Sequence, residues 1–103
     1  MLTFVQSSVF AAWLHGLRDD GAKAQILRRL SSAELGNFGD CKSVGDGISE
    51  MRIHHGPGYR LYFMRSGNTV YVLLCGGDKS TQKKDIQTAK KIARSIKEQA
   101  NDS

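Results

Sequence analysis

Apolar residues recur every three or four positions in the first third of the chain, a spacing that predicts two helices. The apolar positions of the first helix are Val9, Phe10, Trp13, Leu14 and Leu17. Those of the second helix are Ala22, Ile26, Leu27 and Leu30, with Arg28 and Arg29 facing outward. Ser7 or Ser8 can cap the first helix, and Asp19-Asp20-Gly21 ends it. Because that connection is short, we expect a helical hairpin, preceded by an edge strand within Met1 to Gln6.

The apolar period changes to two in the middle of the chain, which indicates strands. Residues 36–49 hold four glycines without a clean period and predict a loop. Residues 51–54 and 59–63 alternate, whereas 70–75 (VYVLLC) are apolar throughout, as in a strand covered on both faces. Short turns at 55–58 and 66–68 would join these three strands in an antiparallel meander.

A last helix is predicted after Gly76-Gly77, which we expect to end the third strand. Asp78, Ser80 or Thr81 can cap this helix, which would run from Ser80 to about Gln99. Its apolar stripe comprises Ile86, Ala89, Ile92 or Ala93, and Ile96. The predicted fold class is therefore α+β, a single domain over 1–103 with an N-terminal helical hairpin, an antiparallel β-sheet meander and a C-terminal helix.

Composition narrows the setting in which such a domain works. No apolar run approaches the roughly 18 residues of a spanning helix, and no signal peptide is evident, so we expect a cytoplasmic protein. Cys41 and Cys75 lack metal or disulfide-framework spacing, and adjacent His54 and His55 would point to opposite faces, so no metal or other cofactor is expected.

Positive charge is concentrated in the second half of the chain. The net charge is +5, yet residues 1–50 carry five Lys/Arg against six Asp/Glu, and residues 51–103 carry ten against four. This asymmetry favours a polyanionic partner, nucleic acid first. A lysine-rich helix face that only aids solubility is the alternative.

Strand alternation gathers polar side chains on one face of the predicted sheet. If Met51, Ile53, Leu61 and Phe63 pack under the helices, the opposite face receives the residues at the positions between them. Those polar residues are Arg52, His54, Arg60 and Tyr62, which Lys79 could join from the end of the third strand. Because a guanidinium offers paired donors to a phosphate, this face is a candidate phosphate site. An ordinary solvated sheet face is the alternative.

Three motifs add a resemblance to this interpretation. They are G-x-x-E-x-R-I at 47–53, G-P-G-Y-R-x-Y-F at 56–63 and L-L-C-G-G-D-K-S-T-Q at 73–82. Together with F-x-x-W-L-x-x-L at 10–17 and A-K-A-x-I-x-x-R-L at 22–30, they resemble the RelE/ParE toxin superfamily. The closest resemblance is to its HigB-like branch, the addiction module killer proteins, and it covers nearly the whole chain.

The resemblance implies the toxin of a type II toxin–antitoxin system, a ribosome-dependent mRNA endonuclease (mRNA interferase) that arrests translation. A cognate helix-turn-helix antitoxin would neutralise it, and the enzyme would work without a metal. Arg60 matches the family's phosphate-stabilising arginine, Lys79 a second cation, and Arg52 a basic residue that contacts RNA or transfers a proton. The same superfamily includes ParE-like toxins that poison DNA gyrase without cleaving RNA. A convergent basic sheet face favours the nuclease.

Two further hypotheses concern residues outside the matched positions. The C-terminal region lacks the base-stacking tyrosine of some RelE-type enzymes, so Tyr62 or His54 could take over stacking or proton transfer. His54 is chemically the better acid or base, because histidine titrates near neutral pH and arginine does not. RNA contacts are also expected from Lys83, Lys84, Lys90 and Lys91. A degenerate member that only binds a partner stays open as a third possibility.

Overall fold

The computed structural model describes residues 1–101, in which helices pack against both faces of one sheet. In chain order the elements are β1 (Thr3–Gln6), α1 (Ser8–Gly16), α2 (Asp20–Glu34), β2 (Cys41–Gly45), β3 (Ile48–Ile53), β4 (Tyr59–Arg65), β5 (Val70–Asp78), a 3₁₀ turn (Lys79–Thr81) and α3 (Gln82–Asn101). The sheet order is β1-β5-β4-β3-β2. The mixed helix-and-sheet class, the two N-terminal helices and the C-terminal helix are thus confirmed.

The N-terminal helices begin at side-chain caps. Ser7 accepts a hydrogen bond from the amide of Phe10, which confirms Ser7 as the cap of α1. Asp19 accepts from the amide of Ala22 and caps α2, so the acidic pair begins the second helix instead of ending the first. α1 ends earlier than predicted, at Gly16, and leaves Leu17 just beyond it.

The loop predicted over 36–49 is wrong, because it contains β2 and the start of β3. The two strands form an antiparallel hairpin whose turn holds three successive residues with positive φ: Gly45, Asp46 and Gly47. Gly45 and Gly47 are therefore the residues that allow this tight turn. β2 is an edge strand with mostly exposed side chains, so its sequence shows little apolar alternation. The meander has four strands instead of three.

β5 also runs further than predicted, through Gly76 and Gly77 to Asp78. A Cβ on Gly76 would lie 2.3 Å from the Trp13 ring, and one on Gly77 would lie 1.8 Å from an Asp85 oxygen. Both glycines therefore permit close helix–strand packing and do not break the strand. β1 pairs with β5 in parallel and forms an edge of the sheet, as the edge-strand prediction required.

Each face of the sheet contributes to its own apolar core. Met51, Ile53, Leu61 and Phe63 pack with α1 and α2, which confirms the predicted buried face. α3 covers the other face with Ala89 and Ala93, over a core that includes Tyr62. The sequence predicted that this second face would be polar and open. That prediction is wrong where α3 covers the face. The apolar run in β5 is covered on both faces, as predicted, since Leu73 belongs to the first core and Leu74 to the second.

No helix within residues 1–101 combines the length and the apolar content needed to cross a bilayer.

Candidate active site

The turn between β3 and β4 meets the junction between β5 and α3, and a cleft of about 370 Å³ opens between them. The amide of Lys79 donates to the carbonyl of Gly58 at 2.8 Å, which fixes one segment against the other. The cleft is lined by His54, His55, Gly56, Pro57, Gly58, Arg60 and Lys79. It therefore brings together three of the four side chains predicted to be catalytic.

Arg60 is the buried cation of this cleft. Its residue is only 9% exposed, and its Nε has no hydrogen-bond partner within residues 1–101. In the sheet it lies opposite Arg52 of β3 and opposite Gly77 of β5. A buried guanidinium with an unused donor is costly unless an acceptor reaches it. The arrangement suits an anion such as a phosphate.

Glu50 carries the compensating negative charge. Its side chain is fully buried and accepts three hydrogen bonds: from Arg52 Nε at 3.0 Å, from the Tyr62 hydroxyl at 3.0 Å and from Gln82 Nε2 at 2.8 Å. Burial alone would raise the pKa of Glu50, but these hydrogen bonds and the nearby Arg60 charge outweigh it and hold that pKa below its usual range. Glu50 is therefore an ionised link between β3, β4 and the first turn of α3.

Arg52 lies beside the cleft and does not line it. Its Nε is engaged by Glu50, and its side chain is 28% exposed. The hydrogen bond to Glu50 raises the pKa of Arg52, so its charge is held at every accessible pH. Arg52 is therefore a partly exposed cation beside the cleft.

Tyr62 does not lie on an exposed face, which corrects the idea that it stacks on an RNA base. Its ring is fully buried beneath α3, and its hydroxyl donates to Glu50. Burial, together with the negative charge of Glu50, raises the pKa of Tyr62. In this structure Tyr62 is a core residue that orients Glu50.

His54 follows the last residue of β3 and belongs to the turn, so its placement on the strand is corrected. Its Nε2 lies 2.7 Å from Oδ2 of Asp40, and its side chain is 73% exposed. This contact lowers the pKa of Asp40. His55 is held separately, with its Nε2 3.2 Å from Oδ2 of Asp19. His54 is thus exposed at the cleft and oriented by a carboxylate, an arrangement that suits proton transfer.

The four lysines expected to contact RNA lie on α3, outside the cleft. Lys83, Lys84 and Lys91 are exposed, and Lys90 lies 3.6 Å from Oδ2 of Asp46 in the β2–β3 turn. Lys90 lines a second groove, separate from the candidate active site.

Neither cysteine lies in the cleft, and neither forms a disulfide bond. Cys75 donates to the carbonyl of Asp85, and burial raises the pKa of its thiol to about 12. In the part of the chain that the structure describes, no group of three or more histidine, cysteine or acidic residues is placed to hold a metal ion.

Sequence reasoning missed Glu50 and Gln82 as members of the site. Strand alternation places Glu50 on the same face as Arg52, so an acid two residues before a predicted site arginine was a readable signal. Gln82 ends the third motif, but only the docking of α3 brings it to Glu50.

Comparison with known proteins places the chain among related sequences. The family model described as phage derived protein Gp49-like matches residues 12–97, a range that contains every residue of the candidate active site. A Haemophilus influenzae protein, whose name assigns no function, is 51% identical over 87 residues, which cover 84% of this chain and 88% of that protein.

Proposed function

Since the chain belongs to the phage-derived Gp49-like family, a known family of toxin–antitoxin toxins of RelE-like type, we propose that it is a HigB-like toxin that cleaves mRNA on the ribosome. The observation that carries the proposal is the convergence of Arg60, Lys79 and His54 on one cleft. A cognate helix-turn-helix antitoxin would neutralise the toxin in the cytoplasm.

The proposed reaction is an internal transesterification of RNA. The 2′-oxygen attacks the adjacent phosphorus and loses its proton, while the bond from phosphorus to the 5′-oxygen breaks and that oxygen gains a proton. A 2′,3′-cyclic phosphate and a 5′-hydroxyl result. The protein must transfer protons and stabilise the extra negative charge of the phosphorane.

The cleft contains groups suited to each requirement. Arg60 lines the cleft and would donate from its guanidinium to a phosphate oxygen there, and Lys79 adds a second cation at the rim. His54 supplies the group that takes or returns a proton, held in place by Asp40. Arg52 contacts the RNA beside the cleft through the guanidinium nitrogens that Glu50 leaves free. The proposed reaction uses these side chains and no metal.

Primer extension on an mRNA translated in a cell-free system tests the proposal. The wild type should produce cleavage at discrete sites only while ribosomes translate. Arg60→Ala should reduce cleavage by about 10² to 10³-fold, as expected when one transition-state donor is removed. Arg65→Ala is the matched control, because Arg65 lies on the same strand but is exposed and donates to the carbonyls of Gly67 and Asn68.

The outcome separates the proposal from its alternatives. Equal cleavage by the wild type and Arg60→Ala would remove Arg60 from the mechanism. Intact mRNA and intact translation would contradict the nuclease, and DNA breaks on expression would then identify a gyrase poison. If expression caused no cleavage, no DNA breaks and no growth arrest, the remaining interpretation would be a protein that only binds a partner.

A further inference from the structure

A second groove lies between α3 and the β2–β3 turn. It is at the N-terminal end of β3, whereas Arg52 lies near the C-terminal end of that strand. Its volume is about 380 Å³, and it is lined by Asp46, Gly47, Lys90, Ala93, Arg94 and Lys97. Three of these residues are cations and one is an acid. Lys90 lies 3.6 Å from Asp46, which leaves Arg94 and Lys97 without an acidic partner in the groove.

The cations of this groove belong to one flank of α3. At 100° per residue, Lys83, Lys90, Arg94 and Lys97 fall within a narrow arc beside the buried stripe of Ala89 and Ala93. Lys84 and Lys91 point away from the sheet. We call Lys83, Lys90, Arg94 and Lys97 the flank cations. They extend from the candidate active site, where Gln82 contacts Glu50, to the groove.

The separation between the two sites matches a short length of RNA. Arg94 lies about 18 Å beyond Gln82 along a helix that rises 1.5 Å per residue. A single strand advances about 3.4 Å per stacked nucleotide, so about five nucleotides span the distance. The alignment of the flank cations along α3, together with their charge, therefore favours one occupant, the phosphate backbone of a single strand.

We infer that the groove is a second phosphate site for the same RNA strand, at least about five nucleotides from the bond cleaved in the cleft, with the flank cations leading the strand from one site to the other. This inference rests on the proposed function, because it presumes RNA in the cleft. It goes further in assigning Arg94 and Lys97 a role and in setting a minimum length for tight binding.

Uncleavable 2′-O-methyl oligonucleotides of three and twelve nucleotides test this inference by fluorescence anisotropy at several salt concentrations. The wild type should bind the longer probe at least about tenfold more tightly. Each phosphate contact contributes about 0.7 to the slope of log affinity against log salt for a single strand. The double variant Arg94→Gln/Lys97→Gln should therefore lose about 1.4 of that slope, together with most of the length-dependent gain.

Arg18→Gln/Arg28→Gln is the matched control, because it removes the same charge from two exposed positions, one between α1 and α2 and one on α2. Equal loss in the control would assign the effect to net charge and overturn the inference, as would an undiminished slope in the groove variant. Absence of any length-dependent gain in the wild type would also overturn it.

A groove variant that binds the long probe normally but binds purified ribosomes weakly would assign the groove to ribosomal RNA instead. Length-dependent binding without cleavage in the translation assay would overturn the nuclease proposal alone. Cleavage without a length-dependent gain would overturn the groove assignment alone.

Discussion

Glu50 offers the sharpest test of how the candidate site is held together. Glu50→Ala removes a fully buried carboxylate and the acceptor of three hydrogen bonds, and it leaves the charge of Arg60 buried without compensation. Hydrogen bonds to a charged group contribute about 1.5–3 kcal/mol each. Removing one partner of a buried charged pair costs about 3–5 kcal/mol. We expect the free energy of unfolding to fall by about 3–5 kcal/mol, a large part of the stability of a small domain.

Denaturant unfolding at neutral pH measures this change, with Glu98→Ala as the control. Glu98 is an exposed acid on α3, the helix whose Gln82 contacts Glu50, and its removal should change the unfolding free energy by no more than about 0.5 kcal/mol. A loss below about 1 kcal/mol for Glu50→Ala would refute the reasoning, because the carboxylate would then be no more than a surface charge.

The pH dependence supplies a second readout of the same carboxylate. The pKa of Glu50 is lower in the folded chain than its unfolded value of about 4.3. Its stabilising contribution is therefore complete above that value and is lost as the pH falls through the folded pKa. The stability difference between the wild type and Glu50→Gln should shrink below about pH 4. A difference that stays constant down to acid unfolding would show that Glu50 is not ionised in the fold.

Other positions give independent predictions. Gly77→Ala should lower the unfolding free energy by about 1–3 kcal/mol, because the new methyl group would overlap a side chain of α3; Gly16→Ala, which meets open space, should not lower it in the same denaturant titration. A thiol reagent should modify Cys41 in the folded protein and reach Cys75 only after denaturation, and rapid labelling of Cys75 would contradict its burial. His54→Ala should slow RNA cleavage by about 10²-fold or more without changing stability; full toxicity of that variant would remove His54 from the mechanism.

The spacing of apolar residues predicted the fold well in elements that bury one face, where a buried side chain recurs every second position in a strand or every three to four positions in a helix. The apolar stripes of α1, α2 and α3 and the alternation in β3 and β4 record which face meets a core. β2 was missed because an edge strand buries little, so Cys41–Gly45 carries few apolar residues. Gly76 and Gly77 were misread because glycine marks a strand end and a close contact equally well, and only the positions of Trp13 and Asp85 distinguish them.

The candidate site was predicted in its residue types but not in its arrangement. Alternation correctly placed Arg52 and Arg60 on one face. It could not show that α3 would cover Tyr62, because the depth of a side chain depends on which helix docks above it. The bond between Glu50 and Gln82 joins residues 32 positions apart and depends on the same docking.

The parallel pairing of β1 with β5 constrains the order in which the chain can fold. Thr3 pairs with Val70, and the Ser7 hydroxyl donates to the carbonyl of Leu74, 67 residues away. Contacts of such high sequence separation close a long loop and slow folding. During synthesis, the first strand must therefore wait without its neighbour until most of the polypeptide has been made. β5 pairs with β4 on its other side. Once it is made, it joins β1 to the antiparallel strands β2, β3 and β4.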